Sequence, residues 1–110
     1  GRMTAPSLSV ADGGEIRVEG DLTLHTVASL IKPGHDAIAQ ANGRVIIDFA
    51  AVSRFSSAGV ALILNWLRAA EAKKVALTIK NPPADLRAII EVCDLDEVFG
   101  PVLSGSDLPE

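Results

Sequence analysis

The sequence predicts a single α/β domain in which helices cover a mixed sheet of about four strands. The chain has 110 residues, 48% of them hydrophobic, which is enough for one compact core and too few for a second domain. Strand patterns and helix patterns alternate along it in the order β-β-α-β-α-β-α. Strand–helix–strand units imply parallel neighbouring strands joined by right-handed crossovers, and an N-terminal hairpin adds an antiparallel pair.

The first two strands are predicted to form this hairpin. Ser7–Val10 and Glu15–Val18 alternate polar and apolar residues, and the Asp12-Gly13-Gly14 segment between them has the composition of a turn. Gly20 is expected to end the second strand, because glycine often marks the boundary of a regular element.

The central part of the chain predicts a helix, a strand and a loop. Apolar residues recur at helical spacing from Thr26 to about Gln40. Pro33-Gly34 falls inside this pattern, and a proline there removes a backbone donor and clashes with the preceding turn, so we expect a kink or a break. The next apolar run, Val45–Phe49, predicts a strand buried on both faces. Ala51–Phe55 is expected to be a loop.

The C-terminal half contains the strongest helical pattern, from Ser57 to about Ala72. Val75–Ile79 predicts another buried strand. Ala84–Cys93 predicts a helix whose apolar face includes Cys93, which is expected to be an inert thiol of the core. Asp94–Leu103 is expected to be a short closing segment.

Residues 7–103 are expected to form the domain. It is predicted to lie between a vector-derived remnant with a loose N-terminus at residues 1–6 and a loose tail at residues 104–110. The longest run without a charge, Phe55–Leu67, has thirteen residues, whereas a transmembrane helix needs about 20. Because the N-terminus also lacks the apolar core of a signal peptide, the sequence predicts a cytoplasmic protein.

Composition and charge argue against several classes of function. The chain has 10 Lys and Arg against 14 Asp and Glu, a net charge of −4, and no basic run that would bind nucleic acid. One cysteine and two histidines without ligand spacing predict neither an internal disulfide nor a metal site. Asp21 and Asp48 form no recognisable acid–base pair, and no nucleophile–base motif is found. We therefore expect a non-catalytic protein without a cofactor.

The segment that leads into the strongest helix, Val52–Gly59, is the most informative part of the chain. Ser56 or Ser57 can serve as the N-cap, where the hydroxyl accepts a hydrogen bond from a free backbone amide. Ala58 and Gly59 follow in the first turn, and a helical glycine costs about 1 kcal/mol relative to alanine. One explanation is that the glycine permits close packing against a strand while the serines only cap the helix. The other is that a protein partner or a phosphoryl group approaches a bare helix N-terminus.

The same helix is apolar over a wider arc than one sheet face requires. A stripe of about 100° suffices for a helix packed on a sheet, and this helix is apolar over roughly twice that arc. Leu62 and Trp66, one turn apart and close to the serines, are therefore candidates for an exposed ridge that binds a partner. The alternative is that Trp66 is an ordinary core residue.

Five segments, taken in their order along the chain, resemble those of a STAS domain. They are Gly20-Asp21-Leu22, Val45–Phe49 followed by Val52, the Phe55–Val60 turn, Leu86-Arg87 and Leu95–Phe99. The resemblance extends from about Ser7 to Leu103, and the ordered set is more specific than any one motif. STAS domains occur in anti-sigma-factor antagonists, sulphate-transporter C-terminal regions and ABC-transporter accessory subunits, and their fold agrees with the predicted order of elements.

Gly59–Ala70 most resembles the MlaB-type subgroup. That subunit lies beside the ATPase of a phospholipid-trafficking ABC transporter that maintains outer-membrane lipid asymmetry in Gram-negative bacteria. The resemblance implies a non-catalytic subunit that is peripheral to the inner membrane through its ATPase partner and that stabilises or regulates the ATPase. The candidate partner-binding residues are Arg54, Phe55, Ser56, Ser57, Ala58, Gly59, Leu62, Trp66 and His25.

The antagonist branch of the family implies an alternative role. Its members carry an Asp-Ser-(Ser/Thr)-Gly turn, and an anti-sigma kinase phosphorylates the serine that follows the aspartate. Here Ser56 stands at the aspartate position, Ser57 at the phosphoacceptor position and Ala58 at the next. In the transporter subgroup an alanine precedes the glycine, and a Ser or Thr at the Ser57 position faces the ATPase. The resemblance therefore implies either an ATPase contact or a phosphorylation site at Ser57.

Overall fold

The computed structural model describes residues 5–11 and 14–103. Its elements are β1 (Ser7–Val10), β2 (Ile16–Leu22), α1 (Ala28–Ala39), β3 (Arg44–Phe55), α2 (Ser57–Ala72), β4 (Ala76–Lys80), α3 (Ala84–Val92) and α4 (Asp96–Phe99). Three sequence predictions concern residues outside the described ranges: a vector-derived remnant at the N-terminus, Asp12 and Gly13 of the turn, and a loose tail at residues 104–110.

The four strands form one mixed sheet in the order β1-β2-β3-β4. β1 pairs with β2 in antiparallel fashion, whereas β2 and β3, and β3 and β4, run parallel. This confirms the predicted fold class and the predicted hairpin of β1 and β2. None of the helices in the described ranges combines the length and the apolar character that crossing a membrane requires.

One face of the sheet carries the hydrophobic core. In β3, Val45, Ile47 and Phe49 are buried, whereas Ile46 and Asp48 between them are only half-buried. This alternation is typical of a sheet with one packed face, so the prediction that Val45–Phe49 is buried on both faces was wrong. Apolar residues occupy both faces of this strand, so the sequence does not reveal that only one of the two faces is covered by helices.

β2 and β3 are both longer than their sequence patterns predict. β2 continues through Gly20 to Leu22, and β3 continues to Phe55 across the segment expected to be a loop. Gly20 has a φ of +90°, and a Cβ there would lie 2.5 Å from the Ala5 carbonyl oxygen. The pairing of the two strands shifts register next to this glycine. Gly20 therefore marks an irregularity inside a strand, where another segment approaches closely, and not its end.

α1 is continuous through Pro33, so the expected break is absent. Pro33 is exposed, and it removes one backbone donor on the solvent side of the helix. The buried residues of α1 are Leu30, Gly34 and Ile38, spaced four apart on one stripe. Packing of this stripe against the core outweighs the lost hydrogen bond, which is the usual way in which tertiary context overrides local propensity.

α3 ends one residue earlier than predicted, and the burial expected at its C-terminal end is not observed. Leu86 and Ile90 are buried, but Cys93 occupies the C-cap position and is exposed. Asp94 follows with a φ of 56°, which turns the chain away from the helix axis. The prediction of a core thiol was therefore wrong, because the helix stops before it can carry Cys93 onto the core.

Trp66 of α2 packs directly against α1. Its side chain is 0% exposed, and a Cβ on Gly34 would lie 2.0 Å from the indole Nε1. No described group accepts a hydrogen bond from this Nε1. The close contact of the two helices therefore requires the absence of a side chain at position 34.

Asp48 lies on the half-buried face of the sheet, with Arg17 and Lys80 opposite it on the two neighbouring strands. Partial burial by itself tends to raise the pKa of this carboxyl group. Its Oδ1 accepts hydrogen bonds from Asn81 Nδ2 at 3.0 Å and from the Ala50 amide at 2.9 Å. Together with the two cations these bonds outweigh burial and hold the pKa of Asp48 below its ordinary value of 3.8.

We expect Gly34→Ala to destabilise the protein by about 1–3 kcal/mol, because the new methyl group overpacks against Trp66. This loss of stability is opposite in sign to the gain that a Gly→Ala substitution normally brings to a helix. In a Trp66→Phe background, which removes the indole Nε1, the cost should be smaller. Denaturant unfolding of the wild type, the two single variants and the double variant measures both costs, and a Gly34→Ala protein more stable than the wild type would contradict the packing described.

Asn81→Ala should raise the pKa of Asp48 towards its ordinary value, since it removes a hydrogen bond to the ionised form. A carboxyl group whose pKa is lower in the folded state stabilises the fold above its unfolded pKa, and this stabilisation is lost as the pH falls through the folded pKa. The stability difference between wild type and Asn81→Ala should therefore narrow in acid. The pKa of Asp48 can be measured from the NMR chemical shift of its carboxyl carbon as a function of pH, and the stability difference from denaturant unfolding at neutral and at acidic pH. An Asp48 pKa that Asn81→Ala leaves unchanged would refute the prediction.

Candidate functional site

The serine turn begins where β2 and β3 end together. The two strands are parallel, and Leu22 lies opposite Phe55 at their carboxyl ends. The Ser56 amide donates to the Leu22 carbonyl at 3.0 Å, immediately before α2 begins at Ser57. The start of α2 is therefore fixed to the end of the neighbouring strand.

The two serines of this turn have different structural roles. Ser56 has extended backbone geometry, and its Oγ accepts from the Ala58 amide at 3.2 Å, so Ser56 is the N-cap. Ser57 is the first residue of α2, and its side chain is exposed. The cap is thus supplied by one serine, while the hydroxyl of the other faces solvent.

Gly59 is explained by packing. It is buried in the first turn of α2, and a Cβ there would lie 2.5 Å from Cε1 of Phe55. Phe55 itself is buried in the core at the end of β3. Both residues are buried, so they pack beneath the start of α2 and do not themselves offer surface to a partner.

A second turn, between β2 and α1, lies beside the first. The Thr26 hydroxyl donates to the Asp21 carbonyl at 2.6 Å and accepts from the Thr23 amide at 2.9 Å. These bonds order a short loop that presents Leu24 and His25 to solvent. Leu24 is 77% exposed.

Between these two turns, α1 and α2 border a shallow apolar groove of about 320 Å³. We call it the α1–α2 groove; its lining residues are Leu24, Val27, Ile31, Ala58, Ala61, Leu62 and Asn65. Ala58 follows Ser57 directly, so the serine turn and the groove are continuous. Exposed apolar surface beside a polar turn is typical of a protein-binding site.

The predicted ridge of Leu62 and Trp66 is absent. Trp66 is fully buried against Gly34, and Leu62 is 3% exposed and reaches only the floor of the α1–α2 groove. The apolar arc of α2 is wide because α1 covers part of it, not because it faces solvent. Leu24 and Ile31 supply the exposed apolar surface instead. The sequence feature that could have indicated this is the position of Leu24, an apolar residue between Thr23 and His25 in a turn.

Arg54 and His25 are both exposed but are positioned differently. Arg54 precedes the buried Phe55 on β3, so strand alternation directs it to the other face of the sheet, away from the α1–α2 groove. His25 follows Leu24 at the edge of this groove. Within the described ranges, no group of three or more His, Cys, Asp or Glu side chains could hold a metal ion.

The family model described as "Mlab, STAS domain" matches residues 9–104. The anti-sigma factor antagonist SpoIIAA in its unphosphorylated form is 26% identical, with a TM-score of 0.66 over 91% of this chain and 86% of that chain. The phosphorylated form of SpoIIAA, a Bacillus cell fate determinant, gives the same identity and TM-score over 91% and 89%. An anti-sigma factor antagonist from Mycobacterium paratuberculosis, 19% identical, shares the fold with a TM-score of 0.70 over 92% and 85%. No curated protein sequence matches the chain.

Ser56→Ala should lower the free energy of unfolding by about 1 kcal/mol, because the Ala58 amide loses its hydrogen-bond acceptor. Ser57→Ala is the matched control and should change stability by less than about 0.5 kcal/mol, as exposed substitutions usually do. Thermal and denaturant unfolding of both variants tests this division of roles. Equal losses for the two serines would show that Ser57 shares the capping.

Proposed function

The chain belongs to the STAS family, and we propose on this basis that it is a non-catalytic subunit that binds the cytoplasmic ATPase of a phospholipid-transport ABC system. It would stabilise or regulate the ATPase and would be peripheral to the inner membrane through this partner. The observation that carries the proposal is the continuity of an exposed serine with an exposed apolar groove. The matching family description and the Ala58-Gly59 pair support the transporter branch.

The proposed contact surface consists of Ser57 and the α1–α2 groove. Burial of Leu24 and Ile31 by the partner would supply most of the affinity, because these side chains are exposed in the free domain. Ser57 is exposed and directly precedes Ala58, which lines the groove, and its hydroxyl would set the orientation of the partner by hydrogen bonds. His25 would contact the partner at the side of Leu24.

A second candidate is an anti-sigma-factor antagonist that is released from its kinase when Ser57 is phosphorylated. The specific observation in its favour is the likeness to SpoIIAA, which has been solved in both unphosphorylated and phosphorylated forms. Ser57 is exposed at the first position of α2, where the helix dipole favours a negative charge. Against it, the aspartate of the antagonist turn is replaced by Ser56.

Ser57→Glu should weaken association with the ATPase about 10- to 100-fold, because it puts a charge into a desolvated contact. The fold should remain intact, since the Ser57 side chain is exposed and an acidic residue suits a helix N-terminus. Titration calorimetry with the ATPase of the same organism measures the effect. Ser9→Glu, an exposed serine of β1 outside the groove, is the control. An affinity unchanged by Ser57→Glu would remove Ser57 from the contact.

The two candidate functions differ in one direct observable. Incubation with the anti-sigma kinase of the same organism and ATP should leave the mass of the protein unchanged if the transporter role is correct. A one-phosphate increase in the wild type that Ser57→Ala abolishes would establish the antagonist role instead. Isolation of the tagged domain with an ABC ATPase and its permease would support the first proposal.

A further inference from the structure

Asn65 lies at the end of the α1–α2 groove that is remote from Ser57. The residues of α2 that line the groove stand at positions i, i+3, i+4 and i+7 of the helix; they are Ala58, Ala61, Leu62 and Asn65. The groove therefore follows two turns of α2, and Asn65 lies about 10 Å along the helix axis from Ala58. Among the described residues that line the groove, Asn65 has the one polar side chain, and none is charged.

His35 holds the side-chain amide of Asn65 in one orientation. It follows Val27 and Ile31 at intervals of four residues, so it lies on the same side of α1, one turn beyond the groove. Its Nε2 is 2.5 Å from Oδ1 of Asn65. Because an amide oxygen can only accept, Nε2 of His35 is the donor. This bond joins α1 to α2 and fixes the rotation of the Asn65 amide.

The amide nitrogen of Asn65 is left for a partner. In the part of the chain that the structure describes, Nδ2 of Asn65 donates no hydrogen bond. Asn65 and His35 are both exposed, so this donor faces solvent in the free domain. A protein segment that fills the groove would displace the solvent, and Nδ2 would then need an acceptor. A polar group left unpaired in such a contact lowers affinity by about tenfold or more.

We propose that Asn65 determines the specificity of the α1–α2 groove. Its Nδ2 donates to an uncharged carbonyl oxygen of the partner segment whose apolar side chains fill the groove. His35 is a positioning residue, because it acts through Asn65. This inference rests on the proposed function and adds the chemistry that the groove requires of its partner: apolar side chains with a carbonyl oxygen at the end remote from Ser57.

The absence of charge in the described lining favours a carbonyl over the other polar groups that a partner could offer. A carboxylate would lose water at this place, and no cation among the described lining residues would compensate for the loss. A hydroxyl or amide donor of the partner would have to share Oδ1 of Asn65 with His35. A carbonyl oxygen pairs with Nδ2 and adds no charge to the contact.

Titration calorimetry with the ATPase of the same organism tests the role of Asn65. Asn65→Ala should weaken binding about tenfold, because the carbonyl of the partner loses its donor. Asn65→Asp should weaken it further, since a carboxylate cannot donate and would face the carbonyl oxygen. The control is Asp36→Asn, an exposed residue of α1 that is next to His35 and does not line the groove. It should change the affinity by less than about threefold.

A mutant cycle tests the positioning role of His35. His35→Ala should weaken binding in the wild type and have little further effect in Asn65→Ala, since both variants remove one interaction. His35→Gln should retain most of the affinity, because the glutamine Nε2 can donate to the same oxygen. In the free protein, the NMR signals of the Asn65 side-chain amide should shift in His35→Ala and return towards their wild-type positions in His35→Gln. A purely structural role for His35 would not produce this recovery.

The pattern of failure distinguishes this inference from the proposed function. If Ser57→Glu weakens the ATPase complex and Asn65→Ala does not, the role of Asn65 is overturned and the proposed function is supported. If the wild type does not bind the ATPase, both are overturned. Additive effects of His35→Ala and Asn65→Ala would overturn the positioning role. Tighter binding by Asn65→Lys would show that the acceptor is a carboxylate and would overturn the uncharged carbonyl.

Discussion

The parallel pairing of β2 with β3 is the interaction on which the rest of the structure depends. It ends with Leu22 opposite Phe55, and the Ser56 amide then donates to the Leu22 carbonyl. Because both strands end at one edge of the sheet, the turns that follow them lie side by side. The exposed serine and the exposed Leu24 belong to different turns, and only this register brings them to one surface. The site is a consequence of sheet topology, as is usual at the carboxyl ends of parallel strands.

The contact between α1 and α2 determines the depth of the α1–α2 groove. Gly34 has no side chain at the point where Trp66 presses on α1, so the two helices approach closely over the core. Their outer edges then border a shallow depression lined by small residues of α2, Ala58 and Ala61. A larger residue at position 34 would separate the helices beneath the groove. A core contact thus controls the shape of the surface at which the partner is proposed to bind.

The sequence predicted an element correctly where interactions between residues close in the chain determine it. α2 occupies the predicted span from Ser57 to Ala72, because its apolar spacing and serine cap act within a few residues. Where a distant residue decides, the local pattern was wrong or left the outcome open. The prediction that β2 ends at Gly20 was wrong, and the sequence did not decide between core and surface for Trp66, which packs against a glycine more than thirty positions away. The serine turn could be found from its residues. The α1–α2 groove could not, because its two walls meet only in the folded chain.

The replacement of an aspartate by Ser56 changes recognition more than it changes the chemistry at Ser57. Ser56 still caps α2, so the geometry of the turn does not need a carboxylate. A phosphate on Ser57 would meet the positive end of the helix dipole with no neighbouring carboxylate at position 56 to repel it. The same phosphate would be costly inside a contact with the apolar groove, because its charge would lose water. A neutral Ser57 therefore suits the proposed contact, in which an added charge is expected to weaken binding.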